Sequence, residues 1–173
     1  NDLISMTQVS MYAFSAPTFT RMLKNLSAML KKAEAHAKDK GIDPATLLTA
    51  KLAPDMFALT RQVQIATDHA KGAMARLAGQ APEAIEDTEA SFADLQARIA
   101  KVLAIVEGFK PEQLAGSETR EVSVKIPNAE LKFSGIDYLN TWALPNFYFH
   151  VTAAYAILRN CGVELGKRDF LMS

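Results

Sequence analysis

The stretch Tyr138 to Gly162, YLNTWALPNFYFHVTAAYAILRNCG, holds the residues best suited to chemistry, with His150 at its centre. A neutral imidazole near pH 7 serves as a metal ligand or as a general base. Metal sites on helices pair ligands at i,i+3 or i,i+4, because those positions share a face. His150 has Asn146 and Phe147 before it and Ala153 and Ala154 after it, so a ligand role needs help from other helices. The plainer alternative is a core histidine bonded to a polar neighbour. His69 and His36 complete the three histidines of the chain. Both flank an apolar stripe, which places them on a rim or surface. Convergence of all three on one metal would need three helices turned correctly. Asp68 adds nothing to His69, because adjacent helical residues point in different directions.

Pro145 is a second signal. Inside a helix it removes the hydrogen bond that the Thr141 carbonyl would accept, and it kinks or bulges the chain. A freed carbonyl beside Trp142, Asn146 and His150 is available to a ligand, and bulged helices recur at functional sites. The alternative is a bend that only fits the helix over the hairpin. The run Phe147-Tyr148-Phe149 spans about 200° of a helix. That is wider than one core stripe, so the hairpin or a second subunit must cover the rest. Met11, Tyr12 and Phe14 can extend such a surface, and a homodimer is its economical form. Cys161 lies at a helix C-terminus, where the dipole raises a thiol pKa and disfavours a nucleophilic role. No nucleophile elbow is present, and Gly166-Lys167-Arg168 lacks the context of a phosphate loop.

Four long helical patterns must position these residues. Phe19, Leu23, Leu26, Leu30, Ala33 and Ala37 form one apolar stripe, widened by Met22 and Met29. Ser15 caps this helix with Pro17 in its first turn, or the helix starts near Ser5 and kinks at Pro17; Gly41 ends it. Asp43-Pro44 starts a short helix, Ala45 to Ala50, and Pro54-Asp55 opens the second long one. The second stripe is Leu59, Val63, Ala66, Ala70, Ala73 and Leu77, whose alanines allow close helix approach. Asp87 or Thr88 caps the third helix, with the stripe Phe92, Leu95, Ile99, Val102 and Val106. Val122, Val124 and Ile126 alternate with polar residues, Pro127-Asn128 turns the chain, and Leu131 and Phe133 alternate again. That predicts a two-stranded hairpin over about 121–134, whose apolar face must lie on the helices. Ser134 with Asp137 resembles a capping box for the fourth helix, which ends at Asn160-Cys161-Gly162. The periodicity gives an all-α antiparallel four-helix bundle with a β-hairpin inserted before the last helix.

Composition bounds the function. The 173 residues suit a single domain, and 49% hydrophobic content supports a full core without disulfide or metal. Nineteen basic and nineteen acidic residues cancel, and no clustered basic run exists to neutralise phosphates, so nucleic acid is not an expected partner. The single cysteine excludes an internal disulfide and any CxxC site. No apolar run approaches the ~20 residues that span a bilayer, and the first residues lack a signal-peptide pattern. The expectation is a soluble cytoplasmic protein without a membrane partner.

Three blocks, SMYAFSAPTFTRMLKNLSAML, DMFALTRQVQIATDHAKGAMARLAG and LPNFYFHVTAAYAILRNCGVELGKRDF, closely resemble an uncharacterised branch of the DinB/YfiT-like superfamily. The likeness runs from Ser10 to Phe170. It implies a four-helix bundle, often dimeric. Better-known members are metal-dependent transferases and isomerases that use low-molecular-weight thiols such as bacillithiol or mycothiol. Those members hold a divalent metal through one histidine on the second helix and an HxxxH pair on the last. His150 matches the first histidine of that pair, but Ala154 stands where the second would be. On the second helix, Gln62, Gln64 and Asp68 fit the ligand register as well as His69. A methyl group coordinates nothing, so the standard metal site cannot form as written.

The resulting expectation is a bundle with a degenerate metal site that binds a small, partly apolar molecule between its helices. Trp142, Asn146, Tyr148 and His150 form its ligand site, and no cofactor is expected. One alternative keeps a divalent metal on His150, with His69 as a further candidate ligand, and uses a thiol cofactor. Another is a dimeric interaction module.

Overall fold

A computed structural model describes residues 9–172. The chain is mostly helical, with one small antiparallel hairpin. The first long helix, α1 (Ala16–Lys40), carries Pro17 in its first turn and ends at Gly41, whose φ of 64° is the left-handed conformation that glycine adopts cheaply. Ser15 precedes the helix without capping it, because its hydroxyl donates to the Met11 carbonyl at 2.6 Å. The alternative start near Ser5 lies outside the described residues.

Asp43 caps α2 (Pro44–Leu48) by accepting the Ala45 N–H at 2.9 Å. The next helix, α3 (Leu59–Leu77), begins later than Pro54. Pro54-Asp55 closes a separate turn, with the Met56 N–H on the Ala53 carbonyl. The Leu59 N–H and Thr60 hydroxyl are then taken by carbonyls of Ala50 and Leu48. Those bonds fold the chain back on α2 before the helix can start. Ser91, rather than Asp87 or Thr88, caps α4 (Phe92–Gly108). The Asp87 carboxylate is drawn away between two guanidiniums, Arg61 at 2.6 Å and Arg98 at 2.9 Å.

Strands β1 (Glu121–Ile126) and β2 (Ala129–Ser134) pair antiparallel around Pro127-Asn128, with Val122 opposite Phe133 and Val124 opposite Leu131. Val122 and Val124 are buried, as a marginal hairpin requires. Ser134 then caps a continuous helical rod by accepting the Asp137 N–H. The rod starts as α5 (Gly135–Asp137), widens into a π-helical turn (Tyr138–Ala143) and continues as α6 (Leu144–Asn160). A final short helix, α7 (Lys167–Leu171), packs on α1.

The four long helices carry the core, and with the short ones the described residues contain seven α-helical segments. Helix α1 packs on α4, and α3 lies between α4 and α6. The Gln62–His150 and Arg76–Tyr138 contacts, at opposite ends of α3, set α3 and α6 antiparallel. Ala66, Ala70, Ala73 and Ala154 are fully buried and keep side-chain bulk low where α3 and α6 meet. Phe19 meets Phe147 edge to face at 4.9 Å. No helix among the described residues is long and apolar enough to cross a membrane.

Candidate functional site

The long contact between α3 and α6 brings His69 and His150 together. Their ring centroids lie 5.9 Å apart, with planes 11° from parallel. The His150 Nδ1 is 2.7 Å from Gln62 Oε1, and the Gln62 amide nitrogen donates to the Phe57 carbonyl at 3.2 Å. A backbone carbonyl only accepts, so the amide NH2 faces Phe57 and the amide oxygen faces His150. Nδ1 therefore carries the proton, and Nε2 of neutral His150 keeps its lone pair.

Burial holds both imidazoles uncharged. It is the main cause lowering His69 to about 4, helped by His150 and then by Arg76. It also lowers His150 to about 4, with Arg61 contributing. Both rings are neutral acceptors and potential bases near pH 7.

His69 lines a cleft of about 420 Å³ between α3, the extended segment 80–91 and the hairpin; Ile85, Val124, Ile126 and Trp142 supply apolar walls. Trp142 is positioned by Phe133, 6.0 Å between centroids. Arg76, Pro82 and Lys125 are shared with a neighbouring trough of about 560 Å³ along the hairpin. Arg76 donates to the Tyr138 hydroxyl at 3.2 Å. Burial raises the Tyr138 pKa against the opposing pull of Arg76, so the phenol stays protonated.

Segment 80–91 is held by Arg98, whose side chain is 1% exposed. Its guanidinium bonds Thr67, Asp68, Asp87, Glu89 and the Glu86 carbonyl at 2.8 to 3.1 Å. Gln64 donates to Glu89 at 2.7 Å and Lys71 to the Glu83 carbonyl at 2.7 Å. The sequence signal for Arg98 was its place inside the Leu95–Ile99–Val102 stripe. A cation there must be paired to be buried. The signal for Arg76 is Gly72, one turn earlier on the same face.

The residues expected to bind a ligand divide between two places. Trp142 joins His69 at the cleft, with His150 beside His69 but not among the lining residues. Asn146 donates its side-chain amide to the Trp142 carbonyl at 2.8 Å, bracing the π-helical turn. The bulge expected from Pro145 is that turn, where the Leu144 N–H reaches back five residues to the Leu139 carbonyl. Tyr148 and Phe149 are 39% and 56% exposed and flank an outer apolar groove with Met56, Thr152 and Ala156. Met11 is buried, Phe14 exposed, and His36 half-buried on α1, outside this group. Burial raises the Cys161 thiol pKa, which disfavours a thiolate.

A family model described as a domain of unknown function, DUF1993, matches residues 11–171. The chain belongs to the DUF1993 family. The DUF1993 chain is also similar to a DinB family member protein from Shewanella denitrificans, whose crystal structure gives a TM-score of 0.85 at 43% identity. That match covers 94% of this chain and 92% of the other. No curated protein matches the DUF1993 chain.

The residues present do not fit a three-histidine metal centre. Ala154 is fully buried and offers only a methyl group. Of the candidates on α3, Gln64 turns to Glu89 and Asp68 to Arg98, while Gln62 is spent on His150. Among the described residues no group of three or more His, Cys, Asp or Glu side chains is arranged to hold a metal ion.

Proposed function

We propose that the DUF1993 chain binds a small, partly apolar molecule in the cleft between α3, segment 80–91 and the hairpin, on a frame of four bundled helices. The observation that carries this reading is the placement of neutral His69 on a cleft whose other walls include Trp142, Ile85, Val124 and Ile126. A cleft of about 420 Å³ lies within the range of small-molecule sites, which combine apolar walls with a few directed polar groups. His69 supplies the hydrogen bond, and His150, locked by Gln62, supports its ring. Asn146 contributes by bracing the turn that presents Trp142.

The probe is naphthalene carboxamide, which is flat, neutral and carries one polar head. Saturable one-to-one binding by isothermal titration calorimetry, lost in His69→Ala and in Trp142→Ala, is the expected result. No saturable binding, or binding indifferent to both substitutions, overturns the reading. Elemental analysis of protein purified without chelator separates it from metal-dependent chemistry. One zinc, nickel or manganese per chain, lost on His150→Ala, would favour the enzyme instead.

A second reading is supported by the outer groove beside Tyr148 and Phe149, which is about 320 Å³ and almost wholly apolar. It is the natural contact face of a homodimer. Sedimentation of the native chain against Phe149→Glu tests it, and an unchanged monomer in both would end it.

A further inference from the structure

We propose that the ligand of this cleft is an organic anion, whose carboxylate or similar oxyanion head rests on Arg76 while its apolar body lies against Trp142 and Ile85. The inference rests on the cleft reading above and names the chemistry of its ligand. It begins with Gly72. In intrinsic helix propensity glycine is about 1 kcal/mol less favourable than alanine, so its presence at a buried position inside α3 calls for a reason. A Cβ built at Gly72 would stand 2.6 Å from the Arg76 Nη1. The missing side chain is therefore the space in which the Arg76 guanidinium lies, folded back one turn along α3. The Tyr138 hydroxyl holds it there from α3's other neighbour, with the ring 6.0 Å from the guanidinium carbon.

Arg76 lies between the cleft and a trough that also holds Glu121 and Glu130, yet neither carboxylate is paired with it. Among the described residues none of the ion pairs includes Arg76. The carboxylate on the cleft, Asp68, is already bound by Arg98 at 2.9 Å and Lys71 at 3.3 Å. Lys125 adds a second cation to the cleft, although its cross-strand neighbour is Glu130, so Arg76 carries the argument. Glu121 and Glu130 line the adjoining trough and would repel an anionic head there. A guanidinium presents a planar set of donors that matches an oxyanion bidentately. His69 beside it is neutral, and donates or accepts according to its tautomer.

The test compares naphthalene carboxylate with naphthalene carboxamide, which share shape and differ in charge. The native chain is expected to bind the carboxylate at least ~10-fold more tightly, as a charge-assisted hydrogen bond implies. Arg76→Gln should erase the difference while leaving carboxamide binding within about threefold. Gly72→Ala is the second variant. It improves helix propensity, so it folds, yet it displaces the guanidinium and should also erase the preference. Equal affinity of the native chain for both compounds, or a preference that survives both substitutions, overturns the anion assignment and leaves the cleft reading standing. Binding of neither compound overturns both.

Discussion

His69 and His150 stack across the α3–α6 contact with ring planes 11° apart, one lining the cleft and the other hydrogen-bonded behind it to Gln62. Two imidazoles this close cannot both be charged without mutual repulsion, and burial already disfavours either cation. The pair links folding to pH. An unfolded histidine titrates near 6.5, whereas each is held at about 4 in the fold. Between those values the unfolded chain binds more protons, so stability is complete above pH 6.5 and falls as pH drops toward 4. The loss is on the order of 3 kcal/mol for one such imidazole. Urea unfolding at about pH 7.5 and about pH 5 captures roughly 2 kcal/mol of it. His69→Gln should reduce the difference by about half, His150 still contributing, and an unchanged slope in that variant would contradict the assignment.

Gln62 decides the tautomer of His150. Nitrogen-15 NMR of the imidazole is expected to show a protonated Nδ1 and an unprotonated Nε2. Gln62→Leu leaves the buried Nδ1–H without its acceptor, at a cost of about 1–3 kcal/mol. Gln62→Glu supplies a carboxylate, and the His150 pKa should move upward from about 4. A pKa unmoved by that carboxylate would mean that the contact does not persist in solution.

Arg98 fixes the wall of the cleft. Replacing it by Met leaves Glu89 buried without its cation and takes one of two cationic partners from each of Asp87 and Asp68, Arg61 and Lys71 remaining. The expected cost is about 3 kcal/mol. A glutamate-specific protease should then cut segment 80–91 at Glu83, Glu86 or Glu89 well before global unfolding. Cleavage no faster than in the native chain would show that the segment is held by other means.

Gly135 begins the last helical rod, and a Cβ there would overlap the backbone carbonyl of Ser117. Backbone cannot step aside as a flexible side chain can. Gly135→Ala should destabilise by at least about 3 kcal/mol, whereas Gly166→Ala, where a Cβ meets nothing, should change little. Thermal melts of the two variants check the contrast.

The helices were legible because their stripes repeat at helical spacing, and Val122, Val124, Leu131 and Phe133 revealed the hairpin by alternation. Long-range polar bonding escaped. Asp87 reads locally as a cap, but two guanidiniums distant in sequence claim it. The helix after Pro54 begins at Leu59 because carbonyls of the preceding segment take its first donors. The bulge near Pro145 was readable from proline chemistry, and His150 as a polar residue amid apolar ones. That His69 would turn toward it depended on the rotation of α3, which apolar spacing fixes only to within neighbouring residues.

The π-helical turn at Tyr138–Ala143 has a consequence for how this chain is matched to others. A π turn accommodates one more residue than the α-helix around it. It is an insertion absorbed without a loop, and it rotates everything on its N-terminal side by about 100° relative to the helix on its C-terminal side. Correspondence with an uninterrupted helix therefore holds in one unbroken frame from Leu144 onward, where His150 and Ala154 lie. Upstream, Tyr138 and the hairpin before it need a gap of one position before they can be compared at all. Removing a single exposed residue there, such as Asn140, would straighten the rod and swing Tyr138 away from Arg76.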